Sequence, residues 1–193
     1  CKSECPSIVD IARLKAEFLQ HYQDSHGVPL RSRMIAHFAD SARLASVSPR
    51  LYNAIFQTPW LRRGLNRVFG FHPNRTLPKL NPVTLRTWFA NRKPLSPRAK
   101  VKGRVHIFCD EFTNYHDLDA GIATVELLEL LGYKVNLPDH VESGRASLSK
   151  GLMRRAREFA EENVRGLGNI VIQDEPLLGI EPSAILSFRD EYP

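Results

Sequence analysis

The sequence predicts a mixed α/β fold, with an all-helical amino-terminal half followed by a mainly parallel sheet. Apolar residues recur at helical spacing before residue 60, whereas after residue 103 short apolar runs alternate with further helical stretches. Between these halves, residues 60–104 contain twelve Lys and Arg residues and no acid. Such an unbalanced, Pro-rich stretch indicates a connector and not a packed domain of its own.

Three helices are predicted in the amino-terminal half. The first starts near Ser7, which has Asp10 three residues later in the spacing of a capping box, and Gly27 ends it. Ser48-Pro49 closes the second, and a shorter third helix follows. The apolar positions are Ile8, Ile11, Leu14, Phe18 and Tyr22, then Leu30, Met34, Ile35, Phe38, Ala42 and Ala45, then Leu51, Ile55 and Phe56.

The carboxyl-terminal half has the pattern of strand, crossover helix and strand, repeated once. Predicted strands cover residues 104–109, 134–137 and 169–172, and a further apolar run covers 177–180. The helix faces between them are Ile122, Val125, Leu128 and Leu131, and then Leu152, Ala156, Phe159, Ala160 and Val164. This alternation favours a parallel sheet, whose functional loops lie beyond the carboxyl ends of its strands.

Composition excludes several classes of protein. The 193 residues are 42% apolar, which excludes global disorder, and no run of eighteen apolar residues could cross a membrane. The start lacks the pattern of a signal peptide, and three cysteines are too few for a disulfide framework. We therefore expect a cytoplasmic protein with a reducing environment or a metal role for its cysteines.

The most specific motif is Cys1-Lys-Ser-Glu-Cys5-Pro6. It matches the last part of the run of cysteines that binds ferredoxin-type clusters, in which Pro turns the chain away after the last ligand. Two exposed cysteines at this spacing can also arise by accident. Because the chain starts at Cys1, we expect it to be a piece of a longer polypeptide that would supply the other ligands.

Three polar loops follow predicted strands and should meet at one edge of the sheet. They form a predicted substrate or partner cleft that contains Asp110, Asn114, Tyr115, His116, Glu142, Ser143, Arg145, Glu181 and Ser183. Each loop also has a structural interpretation, because Asp can cap a helix, Gly144 can form a turn and Pro182 can start a helix. No phosphate-binding, dinucleotide-binding or H-E-x-x-H motif occurs.

The ordered set of motifs resembles the carboxyl-terminal iron–sulfur part of FAD-linked 2-hydroxy-acid oxidoreductases. These are fused proteins of the glycolate oxidase and D-2-hydroxyglutarate dehydrogenase type. The resemblance rests on Cys1-x3-Cys5-Pro6, Gly27-Val-Pro-Leu-Arg31, Phe112-Thr-Asn-Tyr-His116, Gly144-Arg145, Ser149-Lys-Gly-Leu152 and Gly179-Ile-Glu-Pro-Ser183.

This resemblance implies three parts. Residues 1–59 would end a helical ferredoxin-like domain, 60–103 would be the basic connector, and 104–193 would form a cysteine-rich type domain. Cys1 and Cys5 would be 4Fe–4S ligands in the parent protein, whose FAD domain oxidises a glycolate, D-lactate or D-2-hydroxyglutarate type substrate. The fragment alone would bind no cofactor and would not be catalytic. Where the family has further cysteines, this chain has Glu142-Ser143 and Ala184, so its last domain should have become a docking or substrate-facing module.

The resemblance also implies partners: the FAD domain of the same polypeptide, an electron acceptor such as a quinone or redox protein, and a peripheral contact with the inner membrane.

Two other classes of protein are alternatives to this family. The basic connector, in which Trp60, Phe69, Phe71 and Trp88 are interleaved, could bind nucleic acid, although it matches no known binding fold. A small hydrolase would use Ser143, Ser149 or Cys109 with His116, but the sequence has no nucleophile elbow.

Overall fold

The computed structural model describes Pro6, residues 9–95 and residues 100–193. Within these residues the chain is mixed helix and sheet, and the α/β class is confirmed. The elements are α1 Ile11–His26, α2 Leu30–Ala36, α3 Phe38–Ala45, α4 Pro49–Gln57, α5 Pro59–Val68, α6 Leu85–Asn91, β1 Gly103–Phe108, α7 Glu111–Tyr115, α8 Leu118–Leu130, β2 Tyr133–Asn136, α9 Arg145–Ser149, α10 Met153–Leu167, β3 Leu177–Gly179 and α11 Pro182–Asp190.

The amino-terminal half is helical, as predicted. Asp10 caps α1 by accepting a hydrogen bond from the backbone N–H of Arg13 at 3.0 Å, and Gly27 ends the helix with a φ of 78°. The second predicted helix is divided at His37 into α2 and α3. Ser7 lies outside the described residues.

The carboxyl-terminal half contains a three-stranded, all-parallel sheet in the order β2-β1-β3. The central strand is buried from Val105 onward because it is flanked on both sides and covered by helices. Beside the sheet, Phe108 packs with Leu167 and Ala184 in a buried apolar cluster. The sheet thus holds the start of each following loop in a fixed place.

The predicted strand at 169–172 is absent from the structure. After α10 the chain turns back, and the N–H groups of Ile170 and Val171 both donate to the carbonyl of Leu167. Ile172 makes only an isolated bridge with Glu175 and is 56% exposed. The apolar run misled the prediction because Val171 packs against the Phe108 cluster without pairing as a strand, while Ile170 and Ile172 are exposed. The third strand, β3, starts later, at Leu177.

Polar contacts join the two halves. The side-chain amide of Gln23 in α1 donates to the carbonyl of Lys150 at 2.7 Å, and Asp24 pairs with Arg154. Arg155 in α10 pairs with Asp40 in α3 at 2.7 Å. The limits proposed at residues 59 and 103 remain a prediction, and residues 60–103 contain most of α5 and all of α6.

The apolar stripe of α1 lies on its exposed face. Ile11, Leu14, Phe18 and Tyr22 are 58%, 54%, 67% and 47% exposed, while the buried positions of this helix are Ala16 and Gln23. We call these four residues the α1 ridge.

In the described part of the chain, no helix combines the length and apolar character needed to cross a membrane.

Candidate functional site

The site is built at the carboxyl end of β1, where Asp110 starts α7. The Asp110 carboxylate accepts hydrogen bonds from the N–H groups of Phe112 and Thr113, both at 2.9 Å, and from the Thr113 hydroxyl at 2.6 Å. The side chain is almost fully buried. Asp110 therefore acts as a helix cap that orients α7, and both of its carboxylate oxygens accept hydrogen bonds within the chain.

Glu111 connects this loop to the loop after β2. The hydroxyl of Ser143 donates to the Glu111 carboxylate at 2.7 Å. Ser143 is 1% exposed, and its carbonyl accepts a hydrogen bond from the Tyr192 hydroxyl at 2.9 Å. The predicted meeting of these two loops is thus seen as a direct hydrogen bond.

Glu142 is the acid whose environment most disfavours its charge. Burial, together with the negative charges of Glu111 and Asp40, raises the pKa of Glu142 to about 7. Arg155 opposes this effect from 3.6 Å. A carboxyl group with this pKa can take up or release a proton near neutral pH.

A cleft of about 390 Å³ opens beside these carboxylates, between the helical half and the loops of the sheet. Asn114 and Tyr115 also line it, and burial raises the pKa of the Tyr115 hydroxyl. We call it the edge cleft; it is lined by Ala39, Asp40, Arg43, Arg86, Cys109, Glu111, Asn114, Tyr115, His140, Val141, Glu142 and Phe159.

Cys109 and His140 are hydrogen-bonded neighbours in the lining of the edge cleft. The N–H of Cys109 donates to Nε2 of His140 at 3.0 Å, so the ring proton lies on Nδ1, which donates to the Val141 carbonyl. Burial lowers the pKa of His140 to about 4 and raises the pKa of the Cys109 thiol to about 12. Both groups are therefore neutral at pH 7, and Cys109 is not an activated nucleophile.

The third loop contributes to a separate, shallow pocket. Glu181 caps α11 through the N–H of Ala184 at 3.0 Å and accepts a hydrogen bond from the Ser183 hydroxyl. This surface, the Ser143 pocket, has a volume of about 380 Å³ and is lined by Phe38, Asp110, Glu111, Phe112, Ser143, Arg145, Ala146, Ser149, Glu181, Ser183 and Ala184. The predicted residues are therefore divided between two cavities that share Glu111.

The structure places two residues of the predicted cleft away from the edge cleft. His116 does not line either cavity, because its ring stacks on Phe38 and its Nδ1 donates to the Lys79 carbonyl at 2.8 Å. Burial lowers the pKa of His116. Arg145 lines the Ser143 pocket and not the edge cleft, and it pairs with Glu191. Arg43 and Arg86 line the edge cleft instead.

The Ser143 pocket does not fit an iron–sulfur centre. Ser143 and Ala184 both line it. The Ser143 hydroxyl is bonded to Glu111, and Ala184 is buried in the apolar cluster. Neither offers a soft thiolate ligand. No set of three or more His, Cys, Asp or Glu side chains is placed to hold a metal ion in the described ranges; Cys1 and Cys5 lie outside them.

Sequence reasoning missed several residues of the edge cleft. Asp40, Arg43 and Arg86 come from helices distant in sequence, and Phe159 comes from α10. In the sequence, Arg86 is one of the twelve cations of residues 60–104. In the structure, its guanidinium donates to the Pro138 carbonyl at 3.1 Å. No local pattern indicates these contacts, because they depend on how the helical half packs on the sheet.

Over its whole length, the chain is similar to one segment of each of several oxidoreductases. These relatives belong to the class of 2-hydroxy-acid dehydrogenases. The particular relatives are D-2-hydroxyglutarate dehydrogenases: that of Escherichia coli K12 is 28% identical over 198 residues, and that of Pantoea ananatis is 25% identical over 202 residues. The Haemophilus influenzae protein is 23% identical over 198 residues. Each match covers the whole of this chain but only 19% of the length of the relative. No family model and no solved structure matches it.

Proposed function

We propose that this chain is a segment of an FAD-linked dehydrogenase that oxidises D-2-hydroxyglutarate or a closely related 2-hydroxy acid. The observation that carries the proposal is the whole-chain similarity to proteins named D-2-hydroxyglutarate dehydrogenase. In the proposal, FAD and 4Fe–4S clusters supply the oxidation and the one-electron steps. Cys1 and Cys5 contribute two thiolates, one of which serves a second cluster.

The exposed α1 ridge supports the proposal that this chain is part of a larger polypeptide. Four large apolar side chains on one face, following Cys5 closely in sequence, expose an area that an isolated domain ordinarily buries. Contact with another part of the same polypeptide would remove this surface from water. This would hold Cys1 and Cys5 against the part that supplies the remaining ligands.

The edge cleft is proposed as a docking surface for the rest of the enzyme. Arg43 lines it and makes no ion pair with any carboxylate of the described residues. A carboxylate of a partner domain or substrate can pair with that guanidinium. Cys109 is a neutral thiol, and the Ser143 hydroxyl is engaged with Glu111. These contacts favour docking over a hydrolytic role.

Several cations of the basic connector contact other residues of this chain. Arg92 pairs with Glu129, and Arg104 lies 3.4 Å from Glu175. Lys102 lies over the ring of Tyr133. Because these charges are already used within the chain, they favour a connector held to its own domain over a nucleic-acid surface.

The test uses the full polypeptide that carries this chain, with Cys5→Ser as the variant and Cys109→Ala as the matched control. With D-2-hydroxyglutarate, the Cys5→Ser protein should reduce its flavin at the normal rate and lose most electron transfer to an external acceptor. Its reduced electron paramagnetic resonance spectrum should lose one cluster signal. The Cys109→Ala protein should keep both.

Two results would contradict the proposal. One is absence of flavin reduction by any 2-hydroxy acid in the wild-type polypeptide. The other is unchanged cluster content and acceptor turnover in the Cys5→Ser protein, which would remove this cysteine from the ligand set while leaving the dehydrogenase assignment intact.

A further inference from the structure

Helix α5 has one face that the described residues leave open to solvent. Trp60, Arg63, Gly64, Arg67 and Val68 recur at the spacing that places side chains on one side of a helix, and all five are exposed. Trp60 and Val68 are 72% and 71% exposed. A Cβ atom added to Gly64 would meet nothing within 4 Å beyond the local backbone. We call these five residues the α5 face.

Contacts behind the helix fix this face in position. Asn66 is 1% exposed, and its side-chain amide nitrogen lies 2.8–3.2 Å from three carbonyl oxygens of the following loop. The same loop is tied to α4, because the Asn53 side chain donates to the Leu80 carbonyl at 2.8 Å and accepts the Leu80 N–H at 2.9 Å. Helix α4 also packs against α5. These contacts hold the α5 face toward solvent.

The surroundings of the α5 face carry positive charge and no negative charge. Residues 49–80, which comprise α4, α5 and the loop tied to them, contain six Lys and Arg residues and no Asp or Glu. The six cations are Arg50, Arg62, Arg63, Arg67, Arg75 and Lys79. None of them pairs with a carboxylate of the described residues, whereas Arg92 and Arg104, farther along the chain, do. The positive potential of this region is therefore available to an anionic partner.

The face has two parallel rows of side chains. Trp60, Gly64 and Val68 form one row at four-residue spacing, and Arg63 and Arg67 form the neighbouring row. Trp60 and Val68 lie at the two ends, about 12 Å apart along the helix axis at 1.5 Å per residue. Both contact the same plane only when α5 lies parallel to it. Gly64, between them, has no side chain that would hold the helix away from that plane.

An apolar row beside a cationic row fits the boundary between hydrocarbon and anionic headgroups. Trp combines an apolar ring with an N–H donor, which suits this boundary. Arg63 and Arg67 can lay their apolar stems along it and keep their guanidinium groups among phosphates. A nucleic acid would use the arginines and stack on Trp60 but would leave Val68 without an apolar partner. An acidic protein surface would need a matching pocket for the Trp60 ring, which fluid lipid does not.

We propose that the α5 face docks on the surface of a bilayer that contains anionic phospholipid, with α5 parallel to the membrane plane. Trp60 and Val68 enter the boundary between headgroups and acyl chains, while Arg63 and Arg67 bind lipid phosphates. The contact is reversible, because one short apolar row buries little hydrocarbon. It is independent of the dehydrogenase function, since the α5 face shares no residue with the edge cleft, the α1 ridge or the cysteine motif.

The experiment measures cosedimentation of the full polypeptide that carries this chain with phosphatidylcholine vesicles that contain or lack phosphatidylglycerol. The charge variant is Arg63→Gln with Arg67→Gln, and its control is Arg157→Gln with Arg165→Gln, which removes two exposed charges from α10. The apolar variant is Trp60→Ser. Its control is Leu127→Ser, which changes a side chain that is 57% exposed on α8. The melting temperature of each protein is measured without vesicles.

We expect binding that requires phosphatidylglycerol and weakens as salt is added, since salt screens the charges. It should weaken about tenfold or more in the charge variant, about fivefold in Trp60→Ser, and not in either control. The melting temperatures should stay nearly unchanged.

Four results would overturn the proposal. The first is no binding to vesicles that contain phosphatidylglycerol, and the second is equal weakening in variants and controls. The third is a melting temperature lowered by Trp60→Ser without vesicles, which would show that another part of the polypeptide covers the face. The fourth is binding of a single-stranded oligonucleotide that both variants lose while vesicle binding is unchanged, which would assign the face to nucleic acid.

Discussion

Arg92 donates to both carboxylate oxygens of Glu129, at 2.8 and 2.7 Å, in a pair whose side chains are 8% and 7% exposed. The guanidinium also lies 4.4 Å from the centre of the Phe89 ring, and Glu129 accepts the N–H of Leu95 at 2.9 Å. This buried pair attaches the basic connector to α8.

Glu129→Gln should strongly destabilise the protein, because it leaves the buried charge of Arg92 without its partner. The expected loss is about 3–5 kcal/mol in the free energy of unfolding, measured by urea denaturation. Glu161→Gln breaks the exposed pair with Arg157 and should cost only about 0.3–0.5 kcal/mol. Similar losses in the two variants would show that the Arg92–Glu129 pair is not buried in solution.

Phe18→Ser tests whether the α1 ridge is covered in the longer polypeptide. In the 193-residue chain alone the change should leave the melting temperature nearly unchanged, because Phe18 is 67% exposed. In the full polypeptide it should lower stability by about 2 kcal/mol if this ring is buried against another part. Val47, which is 84% exposed and outside the ridge, supplies the control Val47→Ser. An unchanged melting temperature in both settings would mean that the ridge stays in water.

Glu142 should make stability depend on pH. Its folded-state pKa, raised to about 7, lies above the usual value of 4.5, so the folded state binds more protons between these pH values. Stability should therefore fall as pH rises from about 4.5 to 7 and then level off. Glu142→Gln should remove this slope and be more stable than wild type at pH 8, by about 1 kcal/mol after allowance for solvent screening. A slope that persists in the variant would assign it to another group.

Cys109 should resist alkylation in the folded protein. Because burial raises the pKa of its thiol to about 12, almost no thiolate exists at pH 8. In a variant with Cys1→Ser and Cys5→Ser, iodoacetamide should label the protein only after denaturant is added. Mass spectrometry gives the labelled fraction. Rapid labelling without denaturant would indicate that the structure around Cys109 opens in solution.

The sequence predicted the elements better than it predicted the faces they present. The parallel strands and the helix after Glu181 follow from local patterns, as does the meeting of the loop after β1 with the loop after β2. His116 was misplaced because its ring packs against Phe38 and its Nδ1 donates to the Lys79 carbonyl, contacts that no local pattern indicates. The exposed α1 ridge could not be told from a core face, since helical spacing records that side chains share a face and not what covers it.

The bonds between α1, α3 and α10 have a consequence for how the chain could be divided. Gln23 and Asp24 bind α1 to Lys150 and Arg154, and Asp40 binds α3 to Arg155. α1 and α3 are therefore held against the start of α10, which lies far later in the sequence. A chain cut between α6 and β1 should yield two pieces that reassociate without a peptide link, as in fragment complementation. The helical piece would then complete the packing of α9 and α10 as a separate molecule.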